Sequence, residues 1–377
     1  MKKYSVSVII PIFRGRNQIN RLINMLRNSA YESEKLERLE VIFVNDDSNE
    51  KLDDLTIKID EKNFRYKVID DGIHRGIHGA RVKGLEDSTE DYIMFLDQDD
   101  IIDKRYFKTQ LDSLLENDIV LSNGYWHNRQ PIYGDNYLQE DALNKEWAIR
   151  NLPRVISPGQ VIMKKEAIPD FWCQNILVHN GNDDNYLWLL MIGNNCKTTI
   201  NKHLVYTHCE NGGNASHNWV EMRESKEEAL KNICASGLFS KEECNVLKKT
   251  IGLYVSKYCL YQEYDELFRK ISESHIELGK ITDIYAIYGM GIYGKKLWDF
   301  MENEGIHVKY GIDLDLNTAS ERYKVVGVQD RLDPVDIIIV SSAFAFDRIE
   351  KELKKITNAR IVRMDVWLRS LMNGDQL

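Results

Sequence analysis

The stretch Tyr92-Ile93-Met94-Phe95-Leu96-Asp97-Gln98-Asp99-Asp100 is an apolar run that stops on three carboxylates. A short apolar run rich in aromatic residues reads as a buried strand, and the carboxylates then stand where that strand leaves its sheet. The same pattern recurs upstream. Residues 6–10 form a β-branched run closed by Pro11, residues 41–44 a second that stops on Asn45-Asp46-Asp47-Ser48, and residues 66–69 a third. Between them, residues 17–26 space Ile19, Leu22, Ile23 and Leu26 as a helix does, and residues 80–85 make a short helix. Strands joined by helix-length connections predict parallel βαβ units and an α/β sheet covered on both faces. Ligands of such sheets collect beyond the carboxyl ends of the strands, so Asp46 and Asp97 are expected on one rim.

The whole chain has 377 residues, long for a single core, and the size favours two domains. With 43% hydrophobic and 10% aromatic residues it is globular rather than disordered. A formal net charge of -9 excludes a protein that tracks nucleic-acid phosphates. The six cysteines form no C-x-x-C pair and no zinc-like spacing, and read as reduced thiols. The opening residues suit a first strand better than a signal peptide, because Pro11 breaks their apolar run. No stretch approaches the ~18 apolar residues of a membrane span. The expectation is a soluble, cytoplasmic protein, with room for peripheral association at the inner face of the cell membrane and for a homo-oligomer.

Residues 104–220 are less regular, with loop signals at 128–136 and 211–218, and residues from about 221 to 280 look helical and charged. A second α/β alternation starts at residues 284–288, passes through Gly289-Met290-Gly291-Ile292-Tyr293-Gly294, and continues as helix 295–302 and strand 309–312, ending at Asp313. A further strand, 335–340, and helix, 345–355, follow. The predicted organisation is a first domain at 1–220, a helical connector at 221–281 and a smaller Rossmann-like domain at 282–377.

A strand ending in Asp-x-Asp presents carboxylates at a rigid rim, which suits Mg²⁺ or Mn²⁺ shared with substrate phosphates. The other reading of Asp97–Asp100 is a helix N-cap with an acidic first turn, since residues 101–115 could be helical. Four segments together resemble family 2 glycosyltransferases of the GT-A fold: Val8-Ile9-Ile10-Pro11-Ile12-Phe13, Val44-Asn45-Asp46-Asp47-Ser48, Gly79-Ala80-Arg81-Val82-Lys83-Gly84-Leu85, and the run through Asp100. The resemblance implies a mostly parallel mixed sheet and a nucleotide-sugar donor, UDP-linked. It assigns Asp46 to the base, Pro11, Ile12 and Phe13 to the wall of the base pocket, and Arg81 to the nucleotide and diphosphate. Asp97 and Gln98 fall to the donor, with Asp97 also able to assist the metal, and Asp99 to the metal itself. Asn45, Asp47 and Val82 depart from the family pattern, which leaves the nucleotide less defined.

Further on, Asn180-Gly181-Asn182-Asp183-Asp184-Asn185 resembles the family's acidic motif at a helix start. Asp184 matches the general base, with Asp183 beside it. An attacking hydroxyl must lose its proton, so a carboxylate within hydrogen-bond reach is needed. The same segment also reads as a polar helix cap. His208 matches a place where some relatives carry a further metal ligand, and also reads as an ordinary loop histidine. His217 lies in a loop that could order over the donor. His74 and His78 have helical spacing, but Gly76 and Gly79 are expected to interrupt any helix there. The glycines of 289–294 serve either a nucleotide at a helix N-terminus or the turn alone.

The resulting expectation is an inverting, metal-dependent glycosyltransferase acting on a glycan or lipid-linked glycan of surface-polysaccharide biosynthesis. A sugar-nucleotidyltransferase, a non-catalytic nucleotide-sensing scaffold and an NAD-dependent oxidoreductase are the alternatives.

Overall fold

Tyr4–Ile12 (β1) is apolar and buried on both faces along nearly its whole length, as a strand at the middle of a covered sheet must be. The structure is a computed structural model and describes residues 2–52, 63–134, 139–209, 218–274, 282–314, 316, 320, 322–342 and 346–373. β1 pairs in parallel with Leu36–Asn45 (β2), beyond which lies Phe64–Ile69 (β3), and on its other side with Tyr92–Phe95 (β4). Ile101–Ile102 (β5), Ile119–Trp126 (β6), Val161–Lys164 (β7) and Thr198–His208 (β8) complete an eight-stranded sheet of order β3-β2-β1-β4-β7-β6-β8-β5. β7 runs antiparallel to both β4 and β6, β5 runs antiparallel to β8, and the remaining pairs are parallel. The expected α/β fold with a mostly parallel mixed sheet is what forms.

Ile19–Tyr31 (α1) buries Ile19, Leu22, Ile23 and Leu26, the stripe that its spacing announced. Gly76–Asp87 (α2) is longer than expected and contains both Gly76 and Gly79. Glycine costs a helix only about 1 kcal/mol against alanine. Here two side chains accept N–H groups at the helix start, Asp46 from Arg75 at 2.5 Å and Asn180 from Ile77 at 2.9 Å. Gly84 lets α2 approach β1, because a Cβ built there would overlap the Ile9 side chain. That close approach carries Arg81 over the ends of the strands.

The helix expected over residues 101–115 does not start at Ile101. Ile101 and Ile102, both β-branched, pair instead with Thr207 and Tyr206, and the helix Tyr106–Leu114 (α3) begins four residues later than Ile102. Residues 104–220 are more regular than their sequence suggested, since β6 pairs with both β7 and β8 across long sequence separations. The remaining helices of this region are Lys145–Asn151 (α4), Asp170–Gln174 (α5), Asp183–Gly193 (α6), Trp219–Ala235 (α7) and Lys241–Ser274 (α8).

The chain divides into two compact units, Met1–Val255 and Ser256–Leu377. The helices expected as a connector are shared out, with α7 in the first unit and the division falling within α8. The second unit holds Tyr285–Tyr288 (β9), Ile292–Asn303 (α9), Val308–Asp313 (β10), Val325–Gly327 (β11), Ile337–Val340 (β12), Phe346–Leu353 (α10), Arg360–Arg363 (β13) and Met364–Asn373 (α11). Its sheet is parallel throughout, in the order β11-β10-β9-β12-β13. In its glycine-rich turn a Cβ on Gly294 would overlap the Gly289 carbonyl, and Asp313 accepts the Met290 N–H at 2.6 Å. The turn's own packing therefore requires at least this glycine. Among the described residues no helix is long and apolar enough to cross a membrane.

Candidate active site

β4 does not release the chain until Asp97, because the Leu96 N–H still donates to the Ile9 carbonyl at 3.0 Å. The acidic turn that follows is pinned from two sides. Arg21 on α1 donates to the Gln98 carbonyl at 2.7 Å and to the Asp100 carbonyl at 3.1 Å. The Gln98 amide pairs with the Phe13 backbone, donating to its carbonyl at 3.0 Å and accepting its N–H at 3.1 Å. Gln98 thus joins the acidic turn to the Pro11–Ile12–Phe13 segment at the end of β1. Ile12 is buried, whereas the Phe13 ring is 43% exposed and lies 5.6 Å from the His74 ring.

Asp46, at the end of β2, is buried on the same rim. Its carboxylate accepts the Arg75 N–H and stands 3.1 Å from His74 Nδ1. Burial raises its pKa against the opposing pull of these donors. Asp46 therefore holds the start of α2.

Arg81 joins the rest. One end of its guanidinium donates to Asp97 at 2.6 Å and the other to Asp183 at 2.5 Å, and its side chain is 5% exposed. Burial opposes its charge, but Asp183, Asp97 and Asp184 outweigh burial and raise its pKa. Asp183 also offers its carbonyl to the Trp172 indole at 3.0 Å. Asp183 is accordingly occupied as the buried partner of a cation, and Asp184 next to it is the more open of the two. Burial, with Asp183 close by, pushes Asp184 up to about 6. The predicted capping role is not taken by Asp183, since Asn182 holds the N-cap position of α6.

Asp100 is not the helix cap that the sequence also allowed. It is fully buried and accepts hydrogen bonds from Ser157 Oγ at 2.9 Å, from the Cys209 N–H at 3.0 Å and from the Tyr206 hydroxyl. The strand pairing of Ile101 leaves no helix there for it to cap. His208, the last residue of β8, comes to 3.4 Å from Asp100 Oδ1. Burial, then the charges of Asp100 and Asp97, push Asp99 up to about 6, and His208 opposes them.

These carboxylates bear on the metal expectation. Among the described residues, no three His, Cys, Asp or Glu side chains converge on a point that could hold an ion. A cation completed by substrate phosphates needs only one or two protein carboxylates. Asp99, crowded by negative neighbours and with His208 near, fits that kind of site.

His78 does not join His74. It is buried against Trp172, with ring centroids 4.3 Å apart, accepts the Leu177 N–H at 2.9 Å, and burial lowers its pKa to about 4. His217 lies outside the described residues. Sequence reading missed the contribution of α7. Glu228 accepts the Val178 N–H at 3.0 Å, Glu221 that of Asn180 at 3.0 Å, and Lys226 donates to the Asn182 side chain at 2.6 Å. The irregular segment before Asp183 is thereby fixed by one face of α7. The i, i+7 placement of Glu221 and Glu228 was visible, but not what they would meet.

Residues 7–187 match the family model described as Glycosyl transferase family 2. This part of the chain belongs to glycosyl transferase family 2. The family 2 segment thus contains all the aspartates just described and ends inside α6. An uncharacterized glycosyltransferase of Haemophilus influenzae is 31% identical over 119 residues, covering 32% of this chain and 46% of that protein. The chain thus spans about half the length of that relative. The Escherichia coli UDP-Glc:alpha-D-GlcNAc-diphosphoundecaprenol beta-1,3-glucosyltransferase WfgD is 26% identical over 204 residues, covering 53% of this chain and 75% of that protein. The crystal structure of S. aureus TarS 1-349 in complex with UDP-GlcNAc aligns with a TM-score of 0.48 at 18% identity, over 67% of this chain and 72% of that one.

Proposed function

We propose that the family 2 domain transfers a sugar from a UDP-linked donor to a hydroxyl of a glycan or lipid-linked glycan, with inversion at the anomeric carbon. The observation that carries this reading is the Arg81 bridge, which links the rim carboxylate Asp97 to Asp183, the neighbour of the carboxylate Asp184. The donor class draws support from WfgD, whose name specifies a UDP-glucose donor and a lipid-diphosphate-linked acceptor.

In this reading Asp184 accepts the proton of the acceptor hydroxyl. The freed oxygen bonds to the anomeric carbon as that carbon's bond to the diphosphate breaks, and UDP leaves with the electron pair. One displacement of this kind inverts the centre. A carboxylate with a pKa near 6 is ionised at neutral pH yet basic enough to take a proton, which suits the task. Phe13, beside His74 at the crevice mouth, offers an apolar face to the base, and Gln98 holds that segment in place. Asp97, steadied by Arg81, faces the donor. Asp99, with His208 near, would hold Mn²⁺ or Mg²⁺. That ion, when bound, would offset charge growing on the departing diphosphate.

The test is a screen of UDP-sugars with lipid-linked and free glycan acceptors, in Mn²⁺, reading UDP release. Acceptor-dependent release with one or a few donors is expected. Release with no donor, while NAD or a sugar phosphate plus nucleoside triphosphate is consumed, would replace this reading with an alternative.

A further inference from the structure

Asp97 and Asp100 are joined by a residue that no motif singled out. Ser157 precedes the single turn 158–160, whose Gln160 side chain accepts the Ile156 N–H at 2.9 Å. Gln160 is itself fixed on β6, donating to the Ser122 carbonyl at 3.0 Å. The Ser157 hydroxyl lies 2.9 Å from Asp100 Oδ2 and 3.3 Å from Asp97 Oδ2. On the other side of Asp100 stands Tyr206, whose hydroxyl donates to the same carboxylate oxygen and lies 3.5 Å from His208 Nδ1. Asp100, Ser157 and Tyr206 are each at most 1% exposed.

A fully buried carboxylate is expensive unless its lone pairs are met. An apolar side chain would hold these three segments together with less penalty. What the carboxylate adds is direction, because it ties the turn after β4, the turn before β7 and the end of β8 to one group.

We propose that Asp100, held by Ser157 and Tyr206, is a positioning residue that sets Asp97, Asp99 and His208 for the cation-and-diphosphate end of the donor. The proposal rests on the UDP-sugar reading above. Partners of this outer kind change metal affinity or activity by roughly 10-fold to 100-fold when removed.

The experiment is calorimetric titration of UDP into the full chain, with and without Mn²⁺, for wild type, Ser157→Ala, Tyr206→Phe and Ser157→Thr, alongside thermal unfolding of each. Expected are a roughly 10-fold to 100-fold loss of Mn²⁺-dependent UDP affinity in Ser157→Ala and Tyr206→Phe, near-unchanged metal-free affinity, and recovery in Ser157→Thr, which keeps the hydroxyl. A lowered Tm with Mn²⁺-dependent affinity unchanged would make the network purely structural and overturn the proposal. Wild-type protein that binds no UDP in Mn²⁺ would overturn the donor reading, and this proposal with it. Wild-type binding matched by both variants overturns the proposal alone.

Discussion

Arg81 and Asp183 stand 102 positions apart in the chain and meet at 2.5 Å, each with a side chain only 5% exposed. Because the other arm of the same guanidinium takes Asp97, the helix that carries Asp184 is tied to the strand end that carries the acidic turn. The acidic turn and Asp184 are therefore tied together by one side chain rather than by two loops.

Removing that cation should be severe. Arg81→Ala leaves the buried Asp183 and the partly exposed Asp97 without their partner, and breaking a buried pair such as Arg81–Asp183 costs about 3–5 kcal/mol. The expected result is a clear fall in Tm by calorimetry. Arg81→Lys keeps the charge but not the fork that reaches both carboxylates, so a smaller fall in Tm with a large loss of turnover is expected. Wild-type turnover in the lysine variant would show that the fork is dispensable.

Asp184→Asn removes the proposed base while keeping shape. Turnover is expected to drop roughly 10²-fold to 10⁴-fold, with UDP affinity retained. Near-normal turnover would assign proton removal to another group.

The acidity of the site predicts its pH dependence. Burial and neighbouring carboxylates push Asp184 and Asp99 up to about 6. A base must be ionised, so kcat/KM should hold steady near pH 8 and fall below about 6, read from a pH profile. Stability runs the opposite way. With folded values above the ordinary 3.8, the folded state holds these protons more tightly, so their contribution is present at low pH and lost as pH rises through about 6. Asp184→Asn should therefore unfold at a higher temperature than wild type at pH 8, with the gap closing near pH 4. A variant less stable at pH 8 would contradict that sign.

Asp99→Ala is expected to abolish transfer while leaving the fold intact by circular dichroism, since Asp99 stands at the rim and outside the apolar core. Excess chelator should reproduce the effect in wild type, and Mn²⁺ should reverse it. Undiminished transfer in chelator would remove the metal from the reading.

Much of this was legible in the residues alone. Alternating apolar runs and helical stripes announced the parallel βαβ core, because burial on both faces leaves a strand little choice but continuous β-branched and aromatic residues. Asp46 and Asp97 were placed by the ends of those runs, and Asp184 by the acidic motif at a helix start. Tertiary structure decided the remainder. Ile101 and Ile102 could have begun a helix, and only pairing with Tyr206 and Thr207 on a strand about a hundred residues away made them a strand. The acidic run with which the reading began was ambiguous for the same reason. Asp100 could be told from a cap only once Ser157 and Tyr206 were brought to its carboxylate. Local order follows from periodicity, which neighbouring residues carry in full. Hydrogen-bond partners drawn from separate strands and turns do not, because which groups meet depends on how the sheet closes around them.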